Sequence, residues 1–109
     1  MTTISKDNQV VTLINVFTVE PDHQQRLVEM LVEATEQTIR HVPGYVSANI
    51  HRGLDGRHVA NYAQWRSPQD LQAMFEDPEA GVHMEAIREL ASNEGYLYEV
   101  VYTDTGDQH

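Results

Sequence analysis

Between residues 10 and 19 the chain reads VVTLINVFTV, an alternation in which neither parity is polar throughout. Leu13, Asn15, Phe17 and Val19 share one face of the strand this predicts, and Thr12, Ile14, Val16 and Thr18 share the other. Apolar residues on both parities imply that both faces are covered. The period then changes. Over EPDHQQRLVEMLVEATEQTIRHVPGY, Leu27, Met30, Leu31, Ala34 and Thr38 recur at helical spacing while Glu29, Glu33 and Glu36 take the wet side. Asp22 and Gln25 supply a D-x-x-Q capping pattern, Arg40 and His41 suit the last turn, and Pro43-Gly44 ends the segment.

YVSANIHR (45–52) and RHVANYAQWR (57–66) predict two strands joined by GLDG, with Asp55-Gly56 as the hairpin signal. SPQDLQAMF opens a short helix with Ser67 as N-cap, Pro68 at N1 and Asp70 at N3, and DPEAGVHMEAIRELAS repeats the device with Asp77 and Pro78. Ala80, His83, Met84, Ile87, Leu90 and Ala91 form its expected inward stripe. GYLYEVVYT (95–103) predicts the last strand and DTGDQH a frayed tail. The order β-α-β-β-α-β, in one domain over 1–109 with an ordered core near 10–103, predicts a ferredoxin-like α+β sandwich. Its helices cover one sheet face. The other is expected to carry Ile14, Val16, Val46, Ile50, Tyr62, Leu97 and Val101, and a second copy of the sheet would cover it in a two-fold homodimer.

Charge narrows the partners. Seven Lys and Arg against seventeen Asp and Glu give a net charge of −10, and the arginines are scattered, which argues against nucleic acid. No apolar run is long enough to span a bilayer, which argues against a membrane partner. The polar start MTTISKDNQ lacks the order of a signal peptide and there is no cysteine, so the expected location is cytoplasmic. The histidines lack metal-ligand spacing, and no phosphate loop or nucleophile elbow occurs.

The anomaly is NYAQW at 61–65. Asparagine is depleted in strands, and an amide buried without a partner costs about 1–3 kcal/mol. Asn61 and Trp65 share a face with Val59 and Ala63, and the small Ala63 leaves room for a flat ring. Tyr62 and Gln64 take the opposite face, where they are expected to hydrogen-bond across the dimer.

NYAQWRS on the third strand, a proline-started helix and the F-x-D-P turn at Phe75–Pro78 together resemble the antibiotic biosynthesis monooxygenase family over roughly residues 10–103. The resemblance implies a dimeric α/β barrel with a pocket between sheet and helices. It points to the quinone-forming branch of aromatic polyketide pathways, which oxidises phenolic substrates with O₂ and uses neither metal nor flavin, so no cofactor is expected. It assigns catalysis to Asn61 and Trp65, and substrate contacts to Asn15, Phe17, Leu71, Phe75 and Ile87. Leu71 stands where that branch has a tyrosine. The branch also carries an arginine on the late helix; Arg88 reads as too far along, so His83 becomes the acid–base candidate. Asn15 with His83 also matches a haem-degrading branch, although Met74 and Phe75 stand where that branch has a tryptophan. Isomerase work on a small metabolite and a non-catalytic dimeric binding module are the remaining alternatives.

Overall fold

In the computed structural model, which describes residues 2–106, β1 (Val11–Val19) runs through the middle of a four-stranded antiparallel sheet. A 3₁₀ turn at Pro21–His23 leads into α1 (Gln24–Gln37), and a second at Ile39–His41 leads to β2 (Tyr45–Arg52). β3 (His58–Trp65), α2 (Pro68–Phe75), α3 (Pro78–Arg88) and β4 (Ala91–Tyr98) follow. The strand order β2-β3-β1-β4 is that of the ferredoxin-like sandwich. Residues 99–106 carry no helix or strand, and 107–109 of the expected tail lie outside the described residues.

The helix starts at α2 and α3 follow the sequence signals. Ser67 Oγ accepts from Asp70 N at 3.1 Å, and Asp77 Oδ1 accepts from Glu79 N and Ala80 N. Each such cap stabilises a helix by about 1 kcal/mol. The start of α1 differs from the expected capping box, for no side chain caps it. Instead Gln24 Nε2 donates to Gly53 O at 2.9 Å and His58 O at 3.0 Å, tying the helix to the β2–β3 hairpin.

Three strand expectations are corrected. β4 begins four residues before the predicted start, because Ser92, Asn93, Glu94 and Gly95 have loop-like composition yet pair with β1 from Ala91 onward. Ala91 is therefore a strand residue, and α3 ends at Arg88, before Leu90 and Ala91 of the expected stripe. In β2 the register skips Val46, a bulge that reverses the parity beyond it. Ile50 consequently packs against the helix-side core rather than the outer face. Leu97 pairs with Leu13 and so also lies on the helix side, while Val101 falls beyond the sheet. The outer face retains Ile14, Val16 and Tyr62 and gains Tyr96 and Tyr98. Gln64 does face outward, but its Nε2 donates to Thr3 O at 2.7 Å and its Oε1 accepts from Ser47 Oγ at 2.8 Å. The chain's own N-terminal segment covers that corner.

Between sheet and helices the core divides. Leu13, Ala63, Trp65, Leu71, Met74 and Ala80 form one cluster; Phe17, Val19, Leu27, Leu31, Val59 and Ile87 form the other. The division follows the strand sequences. Asn15 separates Leu13 from Phe17, Asn61 separates Ala63 from Val59, and Asn15 pairs directly with Asn61 in the sheet.

Candidate functional site

A cavity of about 170 Å³ opens where the two amides divide the core. Its apolar walls come from both clusters, with Leu13, Phe17, Leu31, Met74, Met84 and Ile87 among them, and Ala48 and Ala63 leave the sheet floor low. A dry cavity of about 150 Å³ holds benzene, so the enclosed space takes one or two fused rings, and a longer ring system would extend through its open side. Phe75, Arg88 and Asn93 line it while exposed to solvent, and so mark its mouth.

Asn61 Oδ1 accepts the backbone N–H of Asn49 at 3.3 Å. That bond engages the acceptor of a residue that lines the cavity, and leaves its Nδ2 donor unengaged. Asn15 is held the same way, its Oδ1 accepting from Asn93 Nδ2 at 2.9 Å. None of the described hydrogen bonds uses Asn15 Nδ2, Asn61 Nδ2 or the Trp65 indole N–H. The one sealed side-chain polar atom without a partner among the described residues is Thr12 Oγ1, on the outer face. The three donors therefore keep access to the cavity, where a ligand oxygen can meet them. Trp65 is 1% exposed and braced by Tyr45, whose ring meets it edge-on. Burial pushes the Tyr45 phenol above its ordinary value, against opposing effects of Arg40 and the Ala48 backbone, so it stays protonated at neutral pH.

Of the residues singled out in the sequence, Asn15, Phe17, Asn61, Trp65, Phe75 and Ile87 meet at the cavity. Leu71 does not; it is packed in the core cluster beside Trp65. Nor does His83, whose Nε2 lies 3.2 Å from Thr38 Oγ1 at the end of α1, on a different groove. Without it the haem reading lacks its axial ligand in the cavity. Arg88, expected to lie too far along the helix, lines the cavity; its i, i+4 spacing from Met84 is the signal that points there. Asn93 and Tyr45 carry no sequence signal, one falling between the helix expected to end near Ser92 and the strand expected from Gly95, the other on a strand whose parity the bulge resets. Among the described residues no three His, Cys, Asp or Glu group into a metal site, and no helix is long and apolar enough to cross a membrane.

Comparison with known proteins gives consistent results. The family model for antibiotic biosynthesis monooxygenase matches residues 10–86. The chain is 44% identical over 103 residues to tetracenomycin-F1 monooxygenase of Streptomyces glaucescens, covering 94% of this chain and 92% of the relative. A solved monooxygenase from the gene ActVA-Orf6 of Streptomyces coelicolor, in complex with nanaomycin D, is 30% identical with a TM-score of 0.81, covering 93% of this chain and 96% of the other. SnoaB, a cofactor-independent oxygenase from Streptomyces nogalater, is 22% identical with a TM-score of 0.77, covering 88% and 97%, and shares the fold.

Proposed function

Because the chain belongs to the antibiotic biosynthesis monooxygenase family, we propose that its cavity binds a fused-ring phenolic substrate of polyketide type and oxidises it with O₂ to a quinone, without a cofactor. The observation that carries this reading is the cavity's chemistry: neutral N–H donors set in apolar walls, with no carboxylate or histidine among the described lining residues. Such a site stabilises an anion but offers no strong side-chain base. Ground-state O₂ reacts poorly with closed-shell molecules, whereas an electron-rich phenolate or its carbanion form can pass it one electron. The substrate is thus its own reductant, and the protein need only favour its anion, hold it and exclude water.

The roles divide by position. Asn61 Nδ2 and the Trp65 N–H donate to the developing oxyanion, and Asn15, the neighbour of Asn61 on β1, holds the substrate beside it. Arg88 at the mouth adds positive charge, which lowers the substrate's pKa and lets the proton leave to solvent. The ring carbon that has lost a proton bonds to one oxygen of O₂, and the resulting peroxide takes up a proton. Loss of the remaining hydrogen on that carbon with cleavage of the O–O bond then releases water and leaves a carbonyl. The sum is CH₂ + O₂ → C=O + H₂O. His83 has no part in these steps, and neither does Leu71.

We infer further that the enzyme is a homodimer. Val16 is 39% exposed, Tyr96 60% and Tyr98 48%, all on the outer sheet face that no helix among the described residues covers. The defining test uses 1,8-dihydroxy-9-anthrone and ¹⁸O₂ with purified, metal-stripped protein. The expected product is the 9,10-quinone carrying one ¹⁸O atom, formed faster than in buffer. Formation at the buffer rate, or only after adding flavin or metal, would overturn the reading.

A further inference from the structure

Asn15 and Asn61 stand directly opposite each other on neighbouring strands, which separates their Cα atoms by about 5 Å. Each has its carbonyl oxygen engaged elsewhere, one by Asn93 Nδ2 and the other by the Asn49 backbone. An amide rotor with a committed oxygen has a committed nitrogen, so two N–H donors point side by side from the cavity floor. On the other flank of Asn15, Gly95 is its partner in β4. A Cβ at Gly95 would come within 3.1 Å of Asn15 Oδ1 and 3.2 Å of its Cγ, so the missing side chain leaves the amide the room it occupies. Asn93 is exposed at the mouth and reaches Asn15 from the same strand.

We propose that the Asn15–Asn93 amide pair is the specificity device of this site, selecting substrates with two acceptor oxygens on adjacent (peri) positions of one fused-ring edge. Asn15 touches the second oxygen while Asn61 touches the first; Asn93 is a positioning residue that fixes which end of the Asn15 amide is presented. This rests on the phenol-oxidising reading above and specifies its substrate. A ring with a single oxygen on that edge satisfies one donor and leaves the other facing apolar surface. Losing one neutral hydrogen bond in such a site weakens binding by about tenfold. If Asn93 is removed, the Asn15 amide is free to rotate its oxygen into the cavity, and the preference disappears although Asn15 is intact.

The test uses two isomeric, oxygen-stable probes that fit a two-ring cavity, 8-hydroxy-1-tetralone with peri oxygens and 6-hydroxy-1-tetralone without. Binding is followed by the fluorescence of Trp65, the protein's one tryptophan. The intact protein should prefer the 8-hydroxy isomer by about tenfold. Asn15→Leu and Asn93→Ala should each reduce that preference, read as the ratio of the two affinities, to near unity. Asn93 lies at the surface, so its variant is the one expected to fold normally if Asn15→Leu does not. Equal affinity of the intact protein for both isomers, or a preference that survives Asn93→Ala, would overturn the inference and leave the oxidase reading standing. Failure of the 8-hydroxy isomer to bind would also overturn the inference, whereas the oxidase reading falls only if the anthrone is not oxidised faster than in buffer.

Discussion

Tyr45 and Trp65 meet edge to face, their ring centroids 5.8 Å apart and their planes at 90°. The contact joins residues paired across β2 and β3, and it fixes the indole against the low floor left by Ala63 and Ala48. Packing and chemistry can therefore be separated at Trp65. Phenylalanine at this position keeps a ring against Tyr45 and removes only the N–H. Trp65→Phe should lower kcat/KM on the order of a hundredfold, as the loss of one oxyanion donor does, with a small change in Tm. Asn61→Asp should do worse than Asn61→Ala, because it replaces a donor with a charge that repels the substrate anion. Steady-state rates on the anthrone, with melting curves as controls, decide it; rates unchanged by Trp65→Phe would reduce Trp65 to a core residue.

Gly44 offers a stability test away from the cavity. Its φ is +92°, its carbonyl accepts from Arg66 N at 2.8 Å, and a Cβ there would lie 2.3 Å from Asp70 Cγ. Gly44→Ala therefore meets both backbone strain and a collision, and should cost about 2 kcal/mol or more. Adding Asp70→Gly should return part of the loss, since it removes the whole side chain, including the Cβ that would lie 2.4 Å away, and leaves the strain. Urea titration of the two single variants and the double gives the coupling. Strictly additive losses would mean that the two residues do not share that space.

How much of this could be read in the sequence depends on what each residue's position required. The strands β1 and β3 were legible because their alternation is unbroken, and Asn61 stood out as the polar residue on a face that needed apolar ones. The α2 and α3 starts were legible because Ser67-Pro68 and Asp77-Pro78 are local devices. What failed was non-local. The Val46 bulge moved Ile50 across the sheet, and no feature of YVSANIHR announces it. β4 is held by pairing with β1 against the composition of its own first residues. His83 met the helical period, but the direction of α3 turns it to Thr38, while Arg88 comes to the cavity.

Acid sensitivity should centre on Asp70. Its carboxyl is held below its ordinary value of 3.8, first by the hydrogen bond from the Arg66 side chain and next by that from Ser67. A carboxylate with a depressed native pKa adds stability that is complete above the unfolded value and is lost as pH falls through the native one. Asp70→Asn should thus lower Tm at pH 7, and the gap to the unmodified protein should close progressively below about pH 4. Its partner Arg66 is exposed, so the gap should also narrow in high salt. A gap of constant size down to pH 2.5 would show that the Asp70 charge adds no stability.

The outer face predicts association. Val16, Tyr96 and Tyr98 are exposed on the outer face of β1 and β4. Sedimentation at micromolar concentration should show twice the chain mass of 12.4 kDa. Val16→Asp together with Tyr98→Asp should shift it toward that of a single chain. A monomer in the unmodified protein at that concentration would refute the dimer.

Arg88 and His83 make opposite predictions for the pH profile. The cavity lacks a side-chain base, so the rate should rise with the fraction of substrate that is anionic, and the position of that rise should depend on the nearest positive charge. Arg88 sits at the solvent-facing mouth, where its field is screened but not lost. Arg88→Gln should move the rising limb to higher pH by up to about one unit, corresponding to about 1.4 kcal/mol of charge stabilisation. The variant should accordingly be much slower than the unmodified enzyme at pH 7 and recover at high pH. Arg88→Lys should recover part of the shift, since charge rather than fork geometry sets it. High salt should move the unmodified enzyme in the direction of Arg88→Gln. His83→Ala should leave the limb where it is and change the rate little, because its ring faces Thr38 outside the cavity. A limb that vanishes in His83→Ala and stays fixed in Arg88→Gln would assign proton transfer to the histidine and refute the solvent route.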